Sequence, residues 1–188
     1  MSAGEARDDD IGGAVRIAPL PTGLAGLAAI DRIFFVSSAT QDFASEAERG
    51  AFRERWLGRY LTHFPDGCFV ALGANDRVLG YVCGATSDPA REPLFADIGY
   101  FGQLAAETAR FPAHLHINLA PEARNRGIGG KLIEAFCAHA RSAGAPGVHV
   151  VTSAASRNRG FYARNGFKPI VESDWNGHRI VLLGRCLA

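Results

Sequence analysis

Apolar residues recur at helical spacing between positions 24 and 35, at Leu24, Leu27, Ile30, Ile33 and Phe34, and predict an amphipathic helix. A polar break over 37–44 interrupts the pattern. It resumes as a second helix over about 45–63, with Phe52, Trp56, Tyr60 and Leu61 on one face and Glu46, Glu48, Arg53, Glu54 and Arg55 mostly elsewhere. Ahead of both, 14–20 reads as a strand ended by Pro21. The short apolar runs 68–72 and 78–85 predict buried strands, and Asn75-Asp76 between them marks a hairpin turn. Further strands are predicted at 114–119, 148–152, 167–171 and 179–183. A helix over 129–143 buries Leu132, Ile133, Phe136 and Ala140 and stops at Gly144; a shorter one over 157–165 closes at Gly166. The order is β-α-α-β-β-(insert)-β-α-β-α-β-β, an α/β (α+β) arrangement without repeats, low-complexity segments or an internal linker.

Two stretches do not fit this rhythm. Residues 1–13 are small, polar and acidic and are expected to be a disordered tail before one domain spanning 14–188. Residues 86–112 are too long for a plain connection between strands. They carry Phe95, Tyr100, Phe101 and Phe111 with Asp88, Glu92 and Asp97, and are expected to form an acceptor-side wall and lid hinged at Gly99 and Gly102.

Composition narrows the classes. Of 188 residues, 47% are hydrophobic and 21% charged, enough for a real core. The formal net charge of +1 argues against nucleic acid or a membrane surface as partner, so any anion site must be local. There is no signal-peptide pattern and no apolar stretch near the roughly 20 residues of a membrane span. Cys68, Cys83, Cys137 and Cys186 are widely spaced, which suits free thiols in a reducing cytoplasm and no metal site.

The chemistry concentrates in residues 117–133. A buried strand runs into a turn with Gly127, Gly129 and Gly130, and the turn opens a helix. The first helical N–H groups have no intrahelical partner, the helix dipole adds positive potential, and glycine lets a phosphate approach the backbone. Arg124, Arg126 and Lys131 add charge. A dinucleotide fingerprint is excluded because position 132 is Leu where a third glycine belongs, and a P-loop because no Gly-Lys-Ser/Thr follows.

Arg124-x-x-Gly127-x-Gly129, preceded by Leu119-x-Pro121-Glu122, resembles the pyrophosphate motif of the GCN5-related N-acetyltransferase family. Phe161-Tyr162-Ala163-Arg164-Asn165-Gly166-Phe167 resembles that family's second landmark at the right distance. The strong resemblance covers about 113–170. Residues 114–167 are also similar in flavour to the acetyltransferase-like domains related to the C-terminal part of O-GlcNAcases. The resemblance implies a mixed sheet of about seven strands flanked by helices and splayed between the fourth and fifth strands. It implies acetyl-CoA as cofactor. The pyrophosphate would sit on Arg124, Asn125, Arg126, Gly127, Ile128, Gly129, Gly130 and Lys131. The pantetheine would lie along Ile117, Asn118 and Leu119, near Asn158 and Phe161. An amine of a small molecule or protein would attack the thioester directly.

Such chemistry needs a neutral amine, a stabilised oxyanion and a protonated leaving thiolate. Tyr162 is the candidate acid, and a backbone N–H within 118–120 the oxyanion donor. His114, His116 and Asn118 alternate with Leu115, Ile117 and Leu119, which makes one strand face polar; His116 is the candidate base, with Asp88, Glu92 and Asp97 as rivals. Ala155 stands where many relatives place a pantetheine-holding Asn, and Asn158, one helical turn on, is the substitute. A non-catalytic CoA-binding module and a module for another diphosphate remain open, as does a homodimer.

Overall fold

The structure, a computed structural model, describes residues 14–20, 24–38 and 40–187. The tail expected at 1–13 lies outside the described residues. One sheet holds β1 (Arg16–Pro19), β2 (Phe69–Leu72), β3 (Val78–Ala85), β4 (Ala113–Leu119), β5 (Gly147–Ser153), β6 (Lys168–Trp175) and β7 (His178–Cys186), in the order β1-β2-β3-β4-β5-β7-β6. Only β4 and β5 pair in parallel; the other neighbours are antiparallel. The β2–β3 turn forms because Asn75 and Asp76 accept φ of 53° and 54°, left-handed values that asparagine and aspartate tolerate. Asn176 and Gly177, at 48° and 75°, make the same kind of turn between β6 and β7, so β6 runs past the predicted 171 and β7 starts before the predicted 179.

Helix α1 (Leu24–Ser37) matches its periodicity. The second helical stretch begins at Ser45, whose hydroxyl accepts the Glu48 N–H at 3.1 Å, while the Glu48 carboxylate accepts the Ala44 N–H at 2.7 Å. Two donors at the helix start are thereby satisfied. The stretch is not uniform. Helix α2 (Glu46–Arg53) passes into a π-helical turn (Glu54–Gly58) and resumes as α3 (Arg59–His63). A side chain at Gly58 would meet the Glu54 carboxylate as it lies in this structure, and that flexible side chain would have to swing aside.

The sheet has two differently covered faces. Helix α6 (Ile128–Ser142) packs on the face that carries Leu115, where a Cβ on the opposed Gly84 would collide with Phe136. The other face carries Tyr81, Cys83, His114 and His116, and is covered by α3: the Tyr60 ring lies 5.2 Å from His116 and 5.7 Å from His114.

Residues 86–112 join this second layer and correct the expected lid. With α4 (Tyr100–Gln103) and α5 (Ala105–Thr108) they fold onto the sheet, and Phe95, Tyr100, Phe101 and Phe111 are all buried. Their rings are packing for the core, with no free face to stack on a substrate. Asp97 is held by Arg59 in a two-pronged pair at 2.9 Å and by Arg55 at 2.8 Å, which pins the segment to the α2–α3 stretch.

Between β4 and β5 the register holds only Ala113 to Val148 and His114 to His149. Beyond that pair the strands part, as the predicted splay requires. Among the described residues no helix is long and apolar enough to cross a membrane, and no group of three or more His, Cys, Asp and Glu is placed to hold a metal. Cys68, Cys83 and Cys137 are buried free thiols and Cys186 an exposed one.

Candidate active site

The turn after β4 is built by backbone angles. A 3-10 turn over Pro121–Ala123 leads to Asn125 at φ 60° and Gly127 at φ 75°. Gly127 is the N-cap of α6 and supplies no side chain to the helix, so the first α6 amides are left for an outside acceptor. A Cβ at Gly127 would meet nothing within 4 Å, and the left-handed angle alone selects glycine there. Gly129 is selected by crowding: a Cβ would lie 2.8 Å from the Phe161 ring.

These residues border a cleft of about 650 Å³ between the splayed β4, α6 and α7 (Asn158–Arg164). Of the residues expected to hold cofactor, Ile117, Asn118, Leu119, Arg124 and Asn125 line it, as do Gly127, Gly129, Gly130, Asn158 and Phe161. Three do not: the Ile128 side chain is core, only 3% exposed, and Arg126 and Lys131 lie on the surface; His116, expected as the base, lies on the other sheet face. Three residues missing from the sequence reading join the lining, namely Ser37, Arg164 and Asn165. Arg164 and Asn165 sit inside the Phe-Tyr segment and were legible there. Ser37 reaches the cleft from α1 through a contact no spacing reveals. Its hydroxyl lies 3.4 Å from the Leu119 carbonyl and accepts from Arg124 at 3.2 Å; the Arg124 Nε donates to the same carbonyl at 3.3 Å.

The strand edge explains what the cleft offers. Ala120 donates its N–H to the Leu79 carbonyl at 2.9 Å, toward β3. Backbone groups alternate along an antiparallel strand, so Asn118 also faces β3, whereas Ile117 and Leu119 turn theirs into the splay. Of the three amides in 118–120, only Leu119 then fits the expected oxyanion role.

Tyr162 lines the cleft at 7% exposure, its ring packed on Phe161 at 5.2 Å and Phe167 at 5.5 Å. Burial raises its phenol above the ordinary value of 10, which keeps it protonated at neutral pH. Asn158, the proposed substitute for the absent Asn at Ala155, borders the cleft with its Oδ1 accepting from the Thr152 hydroxyl at 3.1 Å.

On the opposite face, His114 and His149 stack at 5.6 Å. The Nδ1 of His149 lies 2.5 Å from the Phe111 carbonyl, and the Nε2 atoms of both rings are buried with no hydrogen-bond partner among the described residues. Burial lowers both pKa values, that of His149 to about 4. His116 is partly buried, its ring edge-on to Trp56 at 5.6 Å and to Tyr60 at 5.2 Å. Burial first, then His149 and Arg59, push its pKa down to about 4. The rival acids are engaged or distant from the cleft: Asp97 by its arginines, and Asp88 by the Ala90 N–H at 3.0 Å with Arg91 at 3.6 Å. Glu92, like them, does not line the cleft.

The profile of the family described as "Acetyltransferase (GNAT) family" matches residues 29–167. Solved structures share the fold. SsHAT is 24% identical, with 93% of this chain and 99% of that one covered at a TM-score of 0.72. An N-acetyltransferase from Staphylococcus aureus Mu50 is 17% identical, covering 94% and 100% at 0.63. The yncA protein from Salmonella typhimurium, solved with its cofactor acetyl-CoA, is 17% identical, covering 94% and 95% at 0.61.

Proposed function

The chain belongs to the acetyltransferase (GNAT) family, and from that premise we propose that it transfers an acetyl group from acetyl-CoA to an amine of a small molecule or protein by direct attack. One observation carries the reading: a single cleft joins the bare N-terminus of α6, the splay-facing backbone of Ile117 and Leu119, and the protonated Tyr162.

The residues present fit the cofactor. The α6 amides suit a pyrophosphate in charge and in access, because Gly127 leaves open space where a side chain would project. Arg124 supplies the paired cation, and the backbone of Ile117 and Leu119 suits the amide-bearing pantetheine arm. When bound, acetyl-CoA supplies a thioester, an acyl group activated toward nitrogen nucleophiles. The splay-facing N–H groups are those available to the thioester oxygen, and they need little reorganisation because the sheet already fixes them. Tyr162 donates the proton that the departing sulfur takes.

The alternative of a non-catalytic CoA-binding module draws on one observation, that among the described residues no carboxylate or histidine lines the cleft to take a proton from the amine. The deciding experiment incubates the protein with acetyl-CoA and a panel of amines, following free thiol and acetylated product by mass spectrometry, with calorimetry of acetyl-CoA alone. Product formation that vanishes in Arg124→Ala supports transfer. Tight binding without any product supports the non-catalytic reading, and absence of binding sinks both.

A further inference from the structure

Two arginines line the cleft, and they are held differently. Arg124 donates to the Leu119 carbonyl and to the Ser37 hydroxyl. Arg164 is exposed and makes no hydrogen bond or ion pair among the described residues. Other arginines at this end of the molecule are engaged. Arg159, on the same helix α7, donates to the Ala154 carbonyl at 2.7 Å and lies 3.9 Å from the Glu172 carboxylate. Arg185 on β7 grips both oxygens of Glu134, at 2.6 and 3.1 Å.

The backbone that carries Arg164 is fixed although its guanidinium has no partner there. Arg185 also donates to the Asn165 carbonyl at 3.1 Å, the Asn165 side-chain amide donates to the Phe161 carbonyl at 2.8 Å, and Gly166 closes the helix at φ 83°. This end of α7 rests on the first turn of α6. A Cβ at Gly129 would lie 2.8 Å from the Phe161 ring, and one at Gly130 would lie 3.0 Å from the Asn165 Oδ1. Arg164 adjoins Asn165 and follows Phe161 by three residues, so it flanks the α6 amides from the α7 wall. Arg124 flanks them from the β4–α6 turn. No carboxylate is among the cleft-lining residues, so nothing along that lining neutralises the second arginine.

The α6 amides and Arg124 already match a pyrophosphate. Coenzyme A carries a third phosphate, a monoester on the ribose 3′ oxygen, with a charge of about −1.5 to −2 at pH 7. A guanidinium presents two parallel N–H groups to such a pair of oxygens. We propose that Arg164 binds the 3′-phosphate of coenzyme A, so that this chain selects the complete cofactor over its 3′-dephospho form. This rests on the acetyl-CoA reading of the cleft given above.

The experiment is calorimetry of the whole protein with coenzyme A and with 3′-dephospho-coenzyme A. The wild-type protein should bind the complete cofactor about tenfold more tightly, the size of one exposed charge-assisted contact. Arg164→Ala should weaken coenzyme A about tenfold and leave the 3′-dephospho form unchanged, so the preference disappears; the unchanged ligand also shows that the variant is folded. Arg164→Lys, which keeps the charge and loses the fork, should retain a preference of about threefold. Arg124→Ala should weaken both ligands by the same factor and leave the preference standing. Raising the salt concentration should shrink the wild-type preference, because an exposed ion pair is screened. Equal binding of the two ligands by the wild-type protein would overturn the proposal alone. So would an Arg164→Ala variant that keeps the preference, or one that loses affinity for both ligands equally. Binding of neither ligand by the wild-type protein would overturn the coenzyme A reading and the proposal with it.

Discussion

On the α6 side of β4 the chain bends through left-handed angles at Asn125 and Gly127 and leaves helix amides around an open cleft. On the α3 side the same strand presents His114 and His116 to packed rings from Tyr60, Phe95 and Phe101, and the Nε2 atoms of His114 and the neighbouring His149 are buried with no partner among the described residues. The first face works through backbone and stays polar and accessible. The second works through shape and keeps its titratable groups neutral. The contrast is a division across one strand, with an open cleft on one side and a packed aromatic layer on the other.

The strongest way to test that division is at Tyr162, the proposed acid on the cleft side. Tyr162→Phe is expected to lower kcat by on the order of 10²–10⁴-fold with acetyl-CoA affinity nearly unchanged, since loss of a general acid acts on the chemical step. Turnover at the wild-type rate would return Tyr162 to a packing role.

The imidazole side should declare itself through acid. His116 and His149 titrate near 4 in the fold against an ordinary 6.5, and His114 is also lowered. Between those values the unfolded chain binds protons that the folded chain does not. Stability is therefore full above about pH 6.5 and falls as pH drops toward 4, by on the order of 3 kcal/mol per fully buried histidine. Denaturant midpoints across this window would show the slope, and His149→Phe should flatten it. A wild-type midpoint constant from pH 7 to 4.5 would contradict the neutral cluster.

Two smaller effects sharpen the cleft side. Gly127→Ala forces an L side chain into a left-handed angle at a strain of about 1–2 kcal/mol, so calorimetry should find acetyl-CoA bound about tenfold more weakly. Equal affinity in the folded variant would mean that the turn does not hold the pyrophosphate. Ser37→Ala removes one partner of Arg124 and should change acetyl-CoA affinity only a few-fold, in keeping with an exposed hydrogen bond worth about 1 kcal/mol. A larger loss would make Ser37 a direct ligand.

Legibility in the sequence followed the same divide. The cleft was readable because glycine spacing, a strand and a helix start are consecutive along the chain. Ile117 through Gly130 appear in order, and the splay was implied by resemblance to the family. Even there, backbone contacts and side-chain contacts were conflated: Ile128 fills core, and Arg126 and Lys131 stay on the surface. The α3 side depends on distant partners. Arg59 meets Asp97 across 38 residues and Arg55 meets it across 42, separations at which no periodicity speaks. Aromatic residues at 95–111 read equally well as a lid or as core, since hydrophobicity alone does not say which side of a segment is covered. The β6–β7 hairpin is different. Asn176-Gly177 is a strong turn signal, and weighing it would have extended both strands.

The brief pairing of β4 with β5 has a mechanical meaning. Four strands lie on one side of that seam and three on the other, and backbone hydrogen bonds stitch them together at one end alone. The sheet is thus two leaves on a hinge at His114 and His149. An extended ligand lying in the gap, bonded to the β4 edge, would act as a missing rung and stiffen the joint. The amides of Ile117 and Leu119 would then report the mechanical integrity of the whole sheet as directly as they report the presence of ligand.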